Sequence, residues 1–215
     1  MSEPHEILAA IEQCLAGQQS NPLNGLRFLV TAGPTHEPID PVRYIANRSS
    51  GQQGYAIAAA AARLGADVTL ISGPTNLSPP QGVETINVEA ATDMLAAVEA
   101  SLPADIAIFT AAVADWRVEG AADQKIKKGR KGVPQLKLVE NPDILATIST
   151  LPPADRPQLV IGFAAETEHV IRHATAKRAR KGCDWIVAND VSPATGIMGG
   201  DHNEIHLIKS DADVQ

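Results

Sequence analysis

The chain reads as an α/β protein: a doubly wound, mostly parallel sheet with a small antiparallel excursion. Three observations carry that reading. Short apolar runs recur along the chain with helical patterns between them. Most of the runs are continuous rather than alternating, as in strands buried on both faces. A long polar loop and a glycine-rich turn join the first run to an alanine-rich helical pattern, the layout of an anion or nucleotide site.

In chain order, residues 1–24 carry a helical pattern (Ile7, Leu8, Ile11, Leu15) and then a Gly/Gln/Ser/Asn/Pro stretch. They read as a helix and linker outside a main domain at 25–215. Strands are expected at 28–30, 68–71, 86–88, 106–109, 159–163 and 185–188, with helices at 56–64, 92–102, 142–149 and 166–181. The loops after the strands' carboxyl ends are where such a sheet binds ligands. Two stretches break the rhythm. Residues 116–140 are charged and contain an alternating run that puts Leu136 and Leu138 on one face, which reads as an antiparallel excursion. Residues 189–208 hold a glycine-rich loop and then a strand with Ile205 and Leu207, followed by a polar tail.

Composition narrows the function. At 215 residues the chain fits one large domain or two small ones. Its 18 basic and 25 acidic residues give a net charge of −7, which argues against a dedicated nucleic-acid binder. Only Cys14 and Cys183 are present, without metal spacing, so a reducing cytoplasm is expected rather than a disulfide scaffold. No apolar run approaches the ~20 residues of a membrane span, and the polar N-terminus is no signal peptide.

Several motifs carry the chemistry. SSGQQG, with Ser49, Gly51 and Gly54, follows a strand and opens a helix, so its N–H groups face a phosphate or its glycines admit a neighbouring strand. It is not a Walker A loop, because no Gly-Lys-Ser/Thr follows, nor a good dinucleotide fingerprint, because the second strand runs into Ser72–Gly73 instead of an acidic residue. In TAAVADW, Asp115 is a ligand-side carboxylate or a turn aspartate. KIKKGRK is a solvated loop, or it closes over a polyphosphate. In ENPDIL, Asn141 is the expected helix cap with Pro142 in the first turn. Phe163 of IGFAAET stacks on a base or fills the core. Lys177 and Lys181, four apart, share a helix face, and Asn189 leaves the last parallel strand at its ligand end. His169 and His173 lack a third metal ligand. Without a nucleophile or an acid–base pair, the residues point to catalysis by positioning and charge, as in phosphoryl or nucleotidyl transfer. A nicotinamide-dependent oxidoreductase and a non-catalytic nucleotide-binding module are the rival readings.

TAGPTHEPIDPVRYIANRSSGQQG, TAAVADW, KIKK, NPDIL, IGFAAET and ANDVS stand in that order at intervals resembling the bacterial phosphopantothenate–cysteine ligase (phosphopantothenoylcysteine synthetase) family. The likeness covers residues 26–209. It implies a Rossmann-like sheet and ligation of phosphopantothenate to L-cysteine with CTP, through an acyl-cytidylate. In many bacteria such a ligase is the C-terminal half of a bifunctional coenzyme A biosynthesis protein. The other half is a flavin-dependent decarboxylase, and the opening EPHEILAAIEQCLAG resembles the junction to it. FMN belongs to that half and is not implied for this chain.

The resemblance also implies residue roles. Asn47 resembles the asparagine that bonds the pantothenate part and the acyl-nucleotide. Gly33, Ser49, Gly51 and Gly54 match triphosphate positions. Phe109, Thr110, Ala111, Ala112 and Asp115 match the strand mouth where the nucleotide and phosphopantothenate meet. Lys125 matches the lysine acting at the α-phosphate. Pro142, Asp143, Ile144 and Leu145 match the cytosine pocket, and Phe163, Lys177, Lys181 and Asn189 match further nucleotide contacts. Mg2+ would bridge the phosphates, its protein ligand unidentified. A homodimer is implied, with 116–140 as its flap and dimerisation excursion and Lys125 on a mobile flap. Family members usually continue with a further strand and helix beyond the position of Gln215.

Overall fold

A computed structural model describes residues 21–127, 134–192, 205–210 and 213–214. The expected N-terminal helix, residues 128–131 of the basic run and the glycine-rich stretch at 193–204 lie outside these residues.

An eight-stranded sheet forms the centre. Its parallel part, in spatial order, is β5 (Glu84–Asn87), β4 (Asp67–Ser72), β1 (Arg27–Ala32), β6 (Ile106–Phe109), β9 (Leu159–Glu166) and β10 (Trp185–Asp190). The six apolar runs are these six strands. Numbered by sequence among themselves they lie 3-2-1-4-5-6, the order of the doubly wound dinucleotide folds, with the switch point between β1 and β6. β11 (Ile205–Ser210) adds antiparallel to β10, and β12 (Asp213–Val214) to β11. The segment read as a polar tail thus includes an edge strand.

Strand alternation sends β1 into two cores. Leu29 joins Ile71, Ala107, Val160 and Ile186 beneath α2 (Ala91–Ala100), α3 (Ile144–Ser149) and α4 (Val170–Lys181). Met94 and Val98 of α2, Ile144 and Ile148 of α3 and Ala174 of α4 supply the helical side. Phe28, Val30 and Ala32 face α1 (Gln52–Arg63), whose Tyr55, Ala58 and Ala61 lie one helical turn apart on the buried stripe. Alanines let this helix lie close to β1 and β4, and the buried Tyr55 hydroxyl donates to Ser72 Oγ at 2.9 Å. Farther along that face Phe163, Trp185 and Val187 are only half-buried.

Four sequence expectations need correction. The long loop after β1 is mostly a β-hairpin, β2 (His36–Asp40) and β3 (Arg43–Ala46), whose polar composition hid it. Stacked His36 and Tyr44 rings, 3.8 Å apart, brace it. The buried Glu37 carboxylate accepts from Ala91 N at the start of α2. Second, β9 runs on to Glu166, pairing with Asp190, so the helix expected from 166 starts at Val170. Third, α3 is capped by Asp143, which accepts from Ala146 N at 3.1 Å, and not by Asn141. Asn141 instead donates to Ala114 O. Fourth, the excursion forms a ribbon of β7 (Trp116–Val118) and β8 (Leu138–Glu140), shorter than the alternating run suggested. β7 lies beside β2, and Tyr44 and Trp116 are each 54% exposed.

Gly54 marks where α1 meets the sheet. An added Cβ would lie 2.5 Å from both Ala32 Cβ and Thr110 Oγ1, so of the two readings for this glycine it is the strand that comes close. Gly54→Ala is expected to cost about 1–3 kcal/mol through overpacking. Urea unfolding should show a lower midpoint at unchanged slope, and an unshifted midpoint would refute the packing role.

Candidate functional site

The site is built where β1 and β6 end. Beyond the sheet their chains stay hydrogen-bonded. Thr110 N and Oγ1 donate to Thr31 O at 3.2 and 2.7 Å, and Ala112 N donates to Gly33 O at 2.8 Å. Ala114 N donates to the buried Thr35 hydroxyl at 3.0 Å. These contacts form the floor of a cleft of about 1140 Å³. That is roomier than the ~300–1,000 Å³ of an ordinary small-molecule pocket and leaves space for two substrates.

One wall is the segment entering α1. Asn47, Arg48, Ser49 and Gln52 line it, and Asn47 Nδ2 donates to Val113 O at 2.9 Å, crossing from this wall to the floor. Gly51, in the left-handed region at φ 77°, caps α1 without a side chain of its own, while Gly51 N and Gln52 N donate to the Ser49 and Ser50 hydroxyls at 3.3 and 3.4 Å. The remaining first-turn N–H groups are left for a ligand or solvent. The floor contributes Phe109, Thr110, Ala111, Ala112 and Asp115. The opposite wall contributes Pro142, Asp143, Ile144 and Leu145 at the start of α3, Phe163 on β9, Lys177 and Lys181 on α4, and Asn189 on β10.

Four of the sequence-selected residues stand apart from the lining. Gly33, Gly51 and Gly54 pack behind it: Gly51 abuts Thr75 and the Gly33 backbone, so these glycines shape the loop. Lys125 is exposed, on the segment that leads from β7. Conversely Arg48, Gln52, Glu140 and Asn141 line the cleft without having been chosen as site residues, Asn141 having been read as a helix cap. Their only sequence signal was a place within or beside a selected motif.

The cations of the far wall are held by the chain itself. Lys177 Nζ donates to Phe163 O at 2.8 Å, and burial pushes its pKa below that of an ordinary lysine. Lys181 pairs with Asp143. Burial works against the Asp143 charge, but the Lys181 ammonium, the Ala146 amide and nearby Lys177 outweigh it, so its pKa lies below the usual value. Among the described residues no three His, Cys, Asp or Glu side chains gather as a metal site, and no helix is long and apolar enough to cross a membrane.

The dinucleotide strand order leaves an oxidoreductase open, but the end of β4 argues against it. Ser72 stands there, its hydroxyl donating to Gly73 O and accepting from Tyr55, with no carboxylate to hold a ribose. The chain matches, over residues 23–215, the family described as the DNA/pantothenate metabolism flavoprotein C-terminal domain. It belongs to that family. It is 50% identical to the coenzyme A biosynthesis bifunctional protein CoaBC of Escherichia coli (strain K12) over 196 residues, covering 90% of this chain and 48% of that protein. With the CoaBC of Vibrio parahaemolyticus the identity is 46% over 216 residues, 100% of this chain and 53% of the relative. The chain therefore spans about half the length of the curated relatives it matches. Among solved structures, the C-terminal domain of a CoaBC superposes with a TM-score of 0.73 at 43% identity, covering 91% of this chain and 87% of that one. A Cab2 mutant in complex with phosphopantothenate-cysteine shares the fold at a TM-score of 0.66 and 14% identity, covering 100% of this chain and 88% of that one.

The Lys181–Asp143 pair has a measurable pH signature. Because the folded pKa of Asp143 is depressed, its contribution is complete above the unfolded value of about 3.9 and fades as pH falls through the folded value. Asp143→Asn keeps a good helix cap but removes the charge. It is expected to flatten the fall in stability below about pH 4, read from urea midpoints. Equal slopes for the variant and the parent would overturn this.

Proposed function

We propose that the chain is a phosphopantothenate–cysteine ligase domain, consuming CTP and working in coenzyme A biosynthesis. The observation that carries this reading is the cleft at the β1/β6 switch point, with Asn47 on one wall and Phe163, Lys177 and Lys181 on the other. The similarity to bifunctional coenzyme A biosynthesis proteins supports the same reading, and a flavin-dependent decarboxylase half is the partner expected in such a fusion.

In this reading the nucleotide lies along the far wall. The cytosine sits against Ile144, Leu145 and Phe163 at the start of α3, and the triphosphate runs toward Ser49 and the N-terminus of α1. Phosphopantothenate enters over Ala111, Ala112 and Asp115. Its carboxylate attacks the α-phosphorus, forming an acyl-cytidylate and releasing pyrophosphate. The cysteine amine then attacks the acyl carbon, forming the amide and releasing CMP. Lys125 supplies a point charge as the α-phosphate gains negative charge, and Asn47 holds the acyl-nucleotide with its amide. The walls keep the mixed anhydride from water. Mg2+ fits as a cation carried by the phosphates: its oxygen-ligand chemistry suits Asp115 and Glu140, which line the cleft, while no dedicated cage is present among the described residues. A homodimer is also proposed, through the exposed Tyr44 and Trp116 of the hairpin and ribbon.

The test is pyrophosphate release. It should need CTP and phosphopantothenate but not cysteine. CTP binding without release would favour a non-catalytic module. Lys125→Ala is expected to slow release by about 10²–10³ while CTP binding changes little, and near-normal release would refute its role. Asn47→Asp is expected to form the acyl-cytidylate yet lose it to hydrolysis instead of passing it to cysteine. Unchanged product yield would exclude the role given to the amide.

A further inference from the structure

Asp40 ends β2 and is 4% exposed. One of its oxygens, Oδ1, does the ordinary work of a turn aspartate, accepting from Val42 N at 2.9 Å and Arg43 N at 3.0 Å. The other serves a distant part of the chain. Oδ2 accepts from the Arg43 guanidinium and, at 3.0 Å, from Ile126 N. The same guanidinium donates to Ile126 O at 2.9 Å. Both backbone polar groups of Ile126 are therefore gripped by one ion pair, whose carboxylate is buried and whose guanidinium is half-exposed. A second tie lies just upstream, where Ala122 N donates to Ile39 O at 3.0 Å. The grip does not loosen readily: the Arg43 hydrogen bond outweighs burial and, with the Ile126 and Val42 amides, holds the Asp40 carboxyl well below the usual carboxylate range.

A turn alone needs only Oδ1. The second oxygen and the guanidinium are committed to a residue that directly follows Lys125, whose Cα is fixed within ~3.8 Å of that of Ile126. Arg43 also begins β3, the strand that delivers Asn47. We propose that Asp40, acting with Arg43, is a positioning residue that anchors the Ile126 backbone and so sets where the Lys125 ammonium reaches. Through β3 the same clamp holds Asn47 and Lys125 in one frame. The inference rests on the role given above to Lys125, and it adds residues outside the lining of the cleft.

The experiment is a double-mutant cycle with an independent structural readout. Asp40→Ala should lower pyrophosphate release by about tenfold or more with the KM for CTP within about twofold, and Asp40→Asn should fall between it and the parent. In a Lys125→Ala background, Asp40→Ala should add less than about twofold, because its effect runs through the lysine. Independent effects in the two backgrounds would overturn the proposal. Trypsin reads the clamp without catalysis: cleavage after Lys125 should be faster in Asp40→Ala, with other sites cut as before. If Lys125→Ala leaves release intact, the assignment of the lysine fails and the catalytic part of the proposal fails with it, while faster cleavage still upholds the clamp. Unchanged cleavage overturns the clamp. If Asp40→Ala is insoluble, the same readings are made on Asp40→Asn.

Discussion

The hydrogen bonds that keep the ends of β1 and β6 together are what the rest of the site depends on. In a doubly wound sheet the crossovers leave these two neighbours in opposite directions, and the crevice between them opens because their chains diverge. Here the divergence is delayed. From Thr31 to Thr35 and from Thr110 to Ala114 the chains continue as partners, using backbone groups and the hydroxyls of Thr31, Thr35 and Thr110. The cleft therefore has a backbone floor with small side chains. It is flanked by segments that can leave only sideways: the hairpin and α1 on one side, the ribbon and α3 on the other.

Much of the fold was legible because burial on both faces writes a strand as an unbroken apolar run. Five of the six parallel strands announce themselves that way, and the edge strand β5, with Asn87 between Ile86 and Val88, is the exception. The hairpin at 36–46 did not, since Pro38, Asp40, Pro41 and Arg43 give it the composition of a loop. Its stability comes from contacts with residues far away, such as Glu37 with Ala91. The cap of α3 was misassigned for a similar reason. Asn141 and Asp143 are both competent caps, and the choice is made by Ala114 O, which claims the Asn141 amide.

The cleft itself was partly legible. Phe109, Thr110, Ala111, Asp115 and Asn189 follow parallel strands or lie at their carboxyl ends, and Phe163 lies beside Val187 in the second half of β9, so the topology alone brings them to one edge. The glycines were harder. Freedom to turn, closeness to a phosphate and closeness to another chain leave the same letter in a sequence, and only coordinates separate them. Asp40 and Arg43 look like turn residues in the sequence, because nothing local hints at Ile126 more than eighty positions away. The far wall's cations also gain meaning only in three dimensions. Lys177 and Lys181 are neighbours on α4, yet one is held by a strand carbonyl and the other by the cap of a different helix.

The delayed divergence of β1 and β6 also bears on how the molecule comes to be assembled. Its bonds close loops of nearly eighty residues, and those between the hairpin and Ile126 close loops of more than eighty. Closing such loops costs chain entropy before any contact repays it. Neighbouring strands and the helices between them offer cheaper contacts first. A partly folded chain would therefore hold local strand–helix–strand units while β1 and β6, and with them the binding cleft, are still apart. Competence to bind thus waits on the same long loop closure that joins the two halves of the sheet, and the most function-specific part of the molecule is not locally encoded.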